Sequence, residues 1–179
     1  MSSQGAALQN GSAATVQASW GADQAEATSA DIIQFISFAI GDDHYGVDIM
    51  AVREIKGWTE ITHLPKQPDY VRGVLNLRGV IVPIIDLRCR FGQGLTEATA
   101  LHIVIIVQIS SQLVGLLADR VSDIISVDPT KIRAVPKVAQ SARLDFLSGI
   151  VTIENAMIAL IELPHLLTQP SVTDDQAVA

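Results

Sequence analysis

The residues that could do chemistry in this chain are few, and most fail on spacing. Asp86 and Glu162 each follow an aliphatic run and precede a leucine, and in a duplicated fold two such carboxylates can meet for acid and base work. An acid in that context also caps the following turn, and the capping role is the favoured one. His44, His63, His102 and His165 show no metal-ligand spacing with one another or with Cys89, the single cysteine. Asp42-Asp43-His44 resembles a ligand cluster, but Asp-Asp after Gly41 is ordinary turn chemistry. Gly92-x-Gly94 has no third glycine and no βαβ context, so it is no dinucleotide loop. No nucleophile elbow, phosphate-binding loop or Cys/His pair is present, and neither catalysis, a metal nor a cofactor is expected.

Glu54 and Arg78 remain. Arg78 stands beside Gly79 in an otherwise aliphatic stretch, where a guanidinium needs a partner. The expectation is that Arg78 pairs with Glu54 and that the pair organises a docking surface.

The elements that must position these residues are strands. Val71–Leu87, VRGVLNLRGVIVPIIDL, reads as two strands joined by a tight turn with Arg78 at its tip, Asn76 and Gly79 supplying the positive φ. Pro83 cannot donate to a ladder, so the second strand is expected to have one side free there, at a sheet edge or a bulge. Ile33–Ile40 has little polar relief on either face, as in a strand covered on both sides. His44–Ile49 returns as a second strand. Met50–Ile55 is either a helical turn, with Val52 and Ile55 on one face, or a continuing strand, and Thr59–His63 is expected to be a short strand. Further strands are expected at 101–109, 113–118, 123–127, 149–153 and 157–162, and a short helix at 163–167 entered through Pro164.

The two sets of strands are copies of one another. Gly46, Val52 and Ile55 match Gly115, Val121 and Ile124 at a constant offset of 69; Gly73, Ile85 and Leu87 match Gly149, Ile161 and Leu163 at 76. Two roughly five-stranded units are implied, too small to bury a core singly and therefore packed through a shared apolar seam. The division expected is 32–94 and 95–169, flanked by disordered tails at 1–31 and 170–179. Asn76-Leu77-Arg78-Gly79 aligns with Thr152-Ile153-Glu154-Asn155, so the work of the arginine belongs to the first copy.

Composition agrees. The chain is 49% hydrophobic but only 4% aromatic, so its core is aliphatic and its class all-β. Of the 19 acids behind the net charge of −7, five lie in the tails, leaving 14 against 12 bases; no basic stripe exists for nucleic acid. With one cysteine, no secretory pattern at the start and no apolar run of membrane-spanning length, a soluble cytoplasmic protein without membrane insertion is expected.

The strand Phe35–Ile40, Tyr45-Gly46-Val47-Asp48-Ile49, Val52-Arg53-Glu54-Ile55 and the core RG-x-x-NLRG-x-x-x-P-x-x-DL from Arg72 to Leu87 together resemble the CheW family of chemotaxis coupling proteins. The resemblance runs in order from about Ile32 to Leu167. It implies a pair of SH3-like five-stranded β-barrels and a non-enzymatic adaptor that joins methyl-accepting chemoreceptor tips to the regulatory domain of the histidine kinase CheA at membrane-associated arrays. Carried over by motif, Val52, Glu54, Gly73, Arg78 and Gly79 fall where family members contact these partners or support the contacts. The alternatives are an isolated kinase-regulatory-like domain and a small-molecule-binding double barrel, the latter without a convergent polar set to support it.

Overall fold

The computed structural model describes residues 31–136 and 145–168. Ten strands are present: β1 (Ile33–Ile40), β2 (Asp43–Asp48), β3 (Val52–Gly57), β4 (Val71–Leu77), β5 (Val80–Asp86), β6 (Ile103–Ile109), β7 (Gln112–Ala118), β8 (Arg120–Val127), β9 (Leu147–Ile153) and β10 (Ala156–Ile161). Two one-turn helices follow the β5 and β10 strands, α1 (Leu87–Arg90) and α2 (Leu163–Leu166). The tails expected at 1–31 and 170–179 lie outside the described residues, Asp31 apart.

The strands form two five-stranded sheets, ordered β8-β1-β2-β10-β9 and β3-β6-β7-β5-β4. The division at 94/95 does not follow them. Each copy of the repeat gives its first two strands to one sheet and its last three to the other. The connections explain this. Asp119 alone separates β7 from β8, and one residue cannot make a hairpin, so the chain runs on into the other sheet. The equivalent link from β2 to β3 is a 3-10 turn, Ile49–Ala51, capped by Asp48. The stretch from Met50 to Ile55 is thus turn first and strand afterwards, and Val52 and Ile55 are strand residues set opposite Val107 and Ile105 of β6 rather than neighbours on a helical turn.

Both sheets are rolled into barrels by the same device. The segment leaving β3 returns to the opposite edge strand, where Thr62 and Val74 exchange backbone hydrogen bonds of 2.9 and 2.8 Å; Arg133 and Ile150 do the same across the other sheet at 2.9 and 2.8 Å. Thr59–His63 is therefore one bridge and not the expected strand, because a single crossing suffices to close the barrel. Gly73 makes that crossing possible: it has φ +144, and a Cβ there would sit 2.2 Å from the Thr62 carbonyl oxygen.

Three apolar clusters fill the structure. One lies inside each barrel, around Val82, Ile84 and Ile106 in the second and Phe35, Val151 and Leu160 in the first. The third is the seam, where Ile36, Phe38 and Val47 of one sheet meet Ile105, Val107 and Leu116 of the other. Strands β1 and β6 thus face a barrel interior on one side and the seam on the other, which is why neither alternates with polar residues.

Candidate functional site

The β4–β5 hairpin turns at Arg78 and Gly79, both left-handed at φ 50 and φ 87, as a two-residue type I′ turn requires. Asn76 is not the residue with positive φ. Its side-chain oxygen instead accepts a hydrogen bond from the Gly79 N–H at 2.8 Å, locking the turn from below. Pro83 pairs with Val74 on one side, and the parallel partner β7 reaches only Ile84–Asp86, so the free side expected there comes from a short neighbour within an interior strand. The second copy has Glu154 and Asn155 at φ 48 and 70, the same turn without the cation.

Arg78 Nη2 donates to Glu54 Oε2 at 2.6 Å, with the arginine 76% and the glutamate 29% exposed. A pair so open to water adds about 0.2–1 kcal/mol at most, so its value is positional. Glu54 is held by a bulge: Val52 pairs with Val107 and Glu54 with Ile106, leaving Arg53 as the extra residue, whose Nε donates to Gln108 Oε1 at 2.9 Å. Val52 is half-buried on the seam cluster. The structure thus brings Glu54, Arg78 and Gly79 together, leaves Val52 on the seam side of β3 opposite Val107, and buries Gly73 within the hairpin as the barrel closure. Val80 and Ile81, after the turn, are 49% and 61% exposed and make the neighbourhood apolar.

Asp86 and Glu162 do not form a dyad. Asp86 is wholly buried and accepts from Thr96 N–H at 2.8 Å, Thr96 Oγ1 at 2.7 Å, Cys89 N–H at 3.2 Å and Arg72 Nη1 at 3.2 Å. The cap at α1 is as expected. Glu162 occupies the same position before α2 but makes no side-chain cap bond; it lies 3.2 Å from His165 Nδ1. Sequence reasoning did not find the Arg72–Asp86–Thr96 network. Arg72 is the extra residue of a bulge in β4, and its partners Asp86 and Thr96 lie 14 and 24 residues further along the chain.

A second polar centre lies where the chain crosses between sheets. Asp119 accepts from Gly41 N–H at 2.7 Å and Arg88 Nη2 at 2.6 Å, with His102 Nε2 3.6 Å from its other oxygen. Burial pushes its carboxyl pKa up, but the Gly41 and Arg88 hydrogen bonds outweigh burial and hold it below the usual range.

Among the described residues no group of three His, Cys, Asp or Glu could hold a metal, and no helix is long and apolar enough to cross a membrane. What the surface does offer is a groove of about 410 Å³ at the mouth of the seam, lined by Ile161 and Leu163 from one side and Ile109 from the other. Paired aliphatic barrels with a locked charged tip and an inter-barrel groove have the features of a protein-docking module.

Residues 34–171 match the family model of the CheW-like domain. The chain is 45% identical to the chemotaxis protein CheW of Rhizobium meliloti, over 73% of this chain and 84% of that one, and 37% identical to CheW of Klebsiella aerogenes, over 75% and 81%. The crystal structure of the scaffolding protein CheW from Thermoanaerobacter tengcongensis superposes with a TM-score of 0.71 at 34% identity, covering 77% of this chain and 89% of that one. The chain belongs to the CheW-like family. It is accordingly a chemotaxis coupling adaptor with the SH3-like double-barrel fold, and neither the small-molecule barrel nor the isolated kinase-regulatory domain is favoured.

Proposed function

We propose that this adaptor acts without catalysis, in the cytoplasm at membrane-associated receptor arrays, by binding the tip of a methyl-accepting chemoreceptor and the regulatory domain of the histidine kinase CheA at the same time. The observation that carries the proposal is the Arg78–Glu54 pair at 2.6 Å on a turn fixed by the Asn76 side chain. A long cation on a rigid tip, beside exposed Val80 and Ile81, is preorganised for a partner and loses little side-chain freedom on docking. Arg78 and Glu54 make the contact, Gly79 allows the turn, Val52 sets the height of Glu54 against the seam, and Gly73 supports the hairpin from within. The seam groove suits a receptor's helical hairpin laid between the barrels. Weak contacts at two faces are multiplied by effective concentration in an array.

The test is a reconstituted assay with CheA and receptor, comparing the parent with Arg78→Ala. The parent should bind both partners and raise kinase output, and the folded variant should lose one partner and the kinase response. A parent that binds neither partner would refute the assignment.

A further inference from the structure

One groove shares no lining residue with the tip or with the groove of about 410 Å³ at the mouth of the seam. It has a volume of about 440 Å³ and opens over β2, β10 and β9. Its floor is apolar: Leu147 and Ile150 of β9 and Met157 of β10, the last 64% exposed, an unusual degree for a large apolar side chain in a strand. Its rim is acidic, made by Asp42 and Asp43 where β1 turns into β2. Among the described residues no Lys or Arg lines it, and His44 stands beside the two carboxylates. Gln93 donates to one oxygen of Asp43 at 3.0 Å, and neither carboxylate forms an ion pair among the described residues.

Tyr45 forms the remaining wall. It is only 8% exposed, its ring stacks on Phe38 and leans on Phe91 with centroids 5.9 and 4.6 Å apart, and no hydrogen bond of the described residues involves its hydroxyl. Burial, with the Asp43 charge beside it, pushes the phenol pKa up to about 12. The hydroxyl stays neutral throughout the physiological range, so its oxygen is available to an incoming N–H.

We propose that this groove binds a basic amphipathic helix of a partner protein. The helix would lay its apolar stripe on Leu147, Ile150 and Met157 and direct Lys or Arg to Asp42, Asp43 and the Tyr45 hydroxyl. Charge decides between occupants. Residues 1–31 and 170–179 of this chain contain no Lys or Arg and carry five acids, so the acidic rim repels them. An apolar floor with a one-signed rim is read by helical side chains at i, i+3, i+4 and i+7 with cations on the flanks.

The experiment uses the full chain and a fluorescein-labelled peptide of about 15 residues, with Leu at those four positions and Lys on both flanks, against the same peptide with Glu for Lys. Fluorescence anisotropy should show binding of the Lys peptide, weakening with salt, and none of the Glu peptide. Asp42→Asn with Asp43→Asn, in an exposed turn, should weaken binding about tenfold, equivalent to about 1.4 kcal/mol. Met157→Glu should do at least as much, while Arg78→Ala leaves the affinity unchanged, which separates this groove from the docking tip. Equal binding of both peptides, binding of neither, or indifference to the Asp42/Asp43 change overturns the proposal. Residues 137–144 carry Lys137 and Arg143. If the peptide binds only after Lys137→Gln and Arg143→Gln, the groove's occupant is the chain itself and the proposal is likewise overturned.

Discussion

Replacing Gly73 by alanine tests how the second barrel closes. The new Cβ would meet the Thr62 carbonyl oxygen at 2.2 Å and the Thr62 carbonyl carbon at 2.9 Å, both backbone atoms that no rotamer change can move. The backbone itself, at φ +144, lies where residues with a side chain are strained by about 1–3 kcal/mol. Relieving the overlap means pulling Thr62 off β4, which forfeits its two hydrogen bonds with Val74, about 1 kcal/mol each. The expected loss is about 3–5 kcal/mol, a large part of the 5–15 kcal/mol that holds a typical domain. Urea unfolding followed by circular dichroism measures it, as a fall in the transition midpoint at similar slope. Gly79→Ala is the control, since that position has φ +87 but nothing within 4 Å of the added carbon; it should cost only about 1–2 kcal/mol of backbone strain. If the two variants lose stability equally, the clash with Thr62 is irrelevant and the closure argument is wrong.

Arg72→Ala removes one of four donors from the buried Asp86 carboxylate and should cost about 2–4 kcal/mol in the same unfolding assay, with Arg78→Ala below about 1 kcal/mol because its pair is exposed. Asp119 has a depressed carboxyl pKa, so its contribution is present above the unfolded-state value and is lost as pH falls through the folded one; Asp119→Asn should therefore flatten the acid side of the stability profile and leave its neutral side sloped as before. Tyr45 titrates at about 12 against an ordinary 10.0, and its raised value means stability lost as pH climbs between those limits; phenolate absorbance should show one late-titrating tyrosine, absent in Tyr45→Phe. Because each sheet mixes strands from both copies, fragments 32–94 and 95–169 should each be unfolded alone and gain β-sheet circular dichroism only when mixed.

Much of this architecture is local, and local features are readable in the chain. The double-sided apolar run at Ile33–Ile40, the tight turn with Arg78 at its tip, the cap offered by Asp86, and the 69-to-76-residue duplication all follow from short-range propensity and spacing, although the positive φ falls on Arg78 and not on Asn76. The pairing of Arg78 with Glu54 was also within reach, since an arginine on a short turn needs an acid and few are available. Partner choice between strands is different. A period of two says which side chains share a face but not which strand lies alongside, and β7 can continue into the other sheet only because Asp119 is too short a link to fold back. The exchange of strands between copies, the bulges at Arg53 and Arg72, the single crossing at Thr62 and the meeting of Asp119 with Gly41 and Arg88 are therefore decided by contacts between residues far apart in sequence. Such contacts exist only once both barrels have closed on the seam.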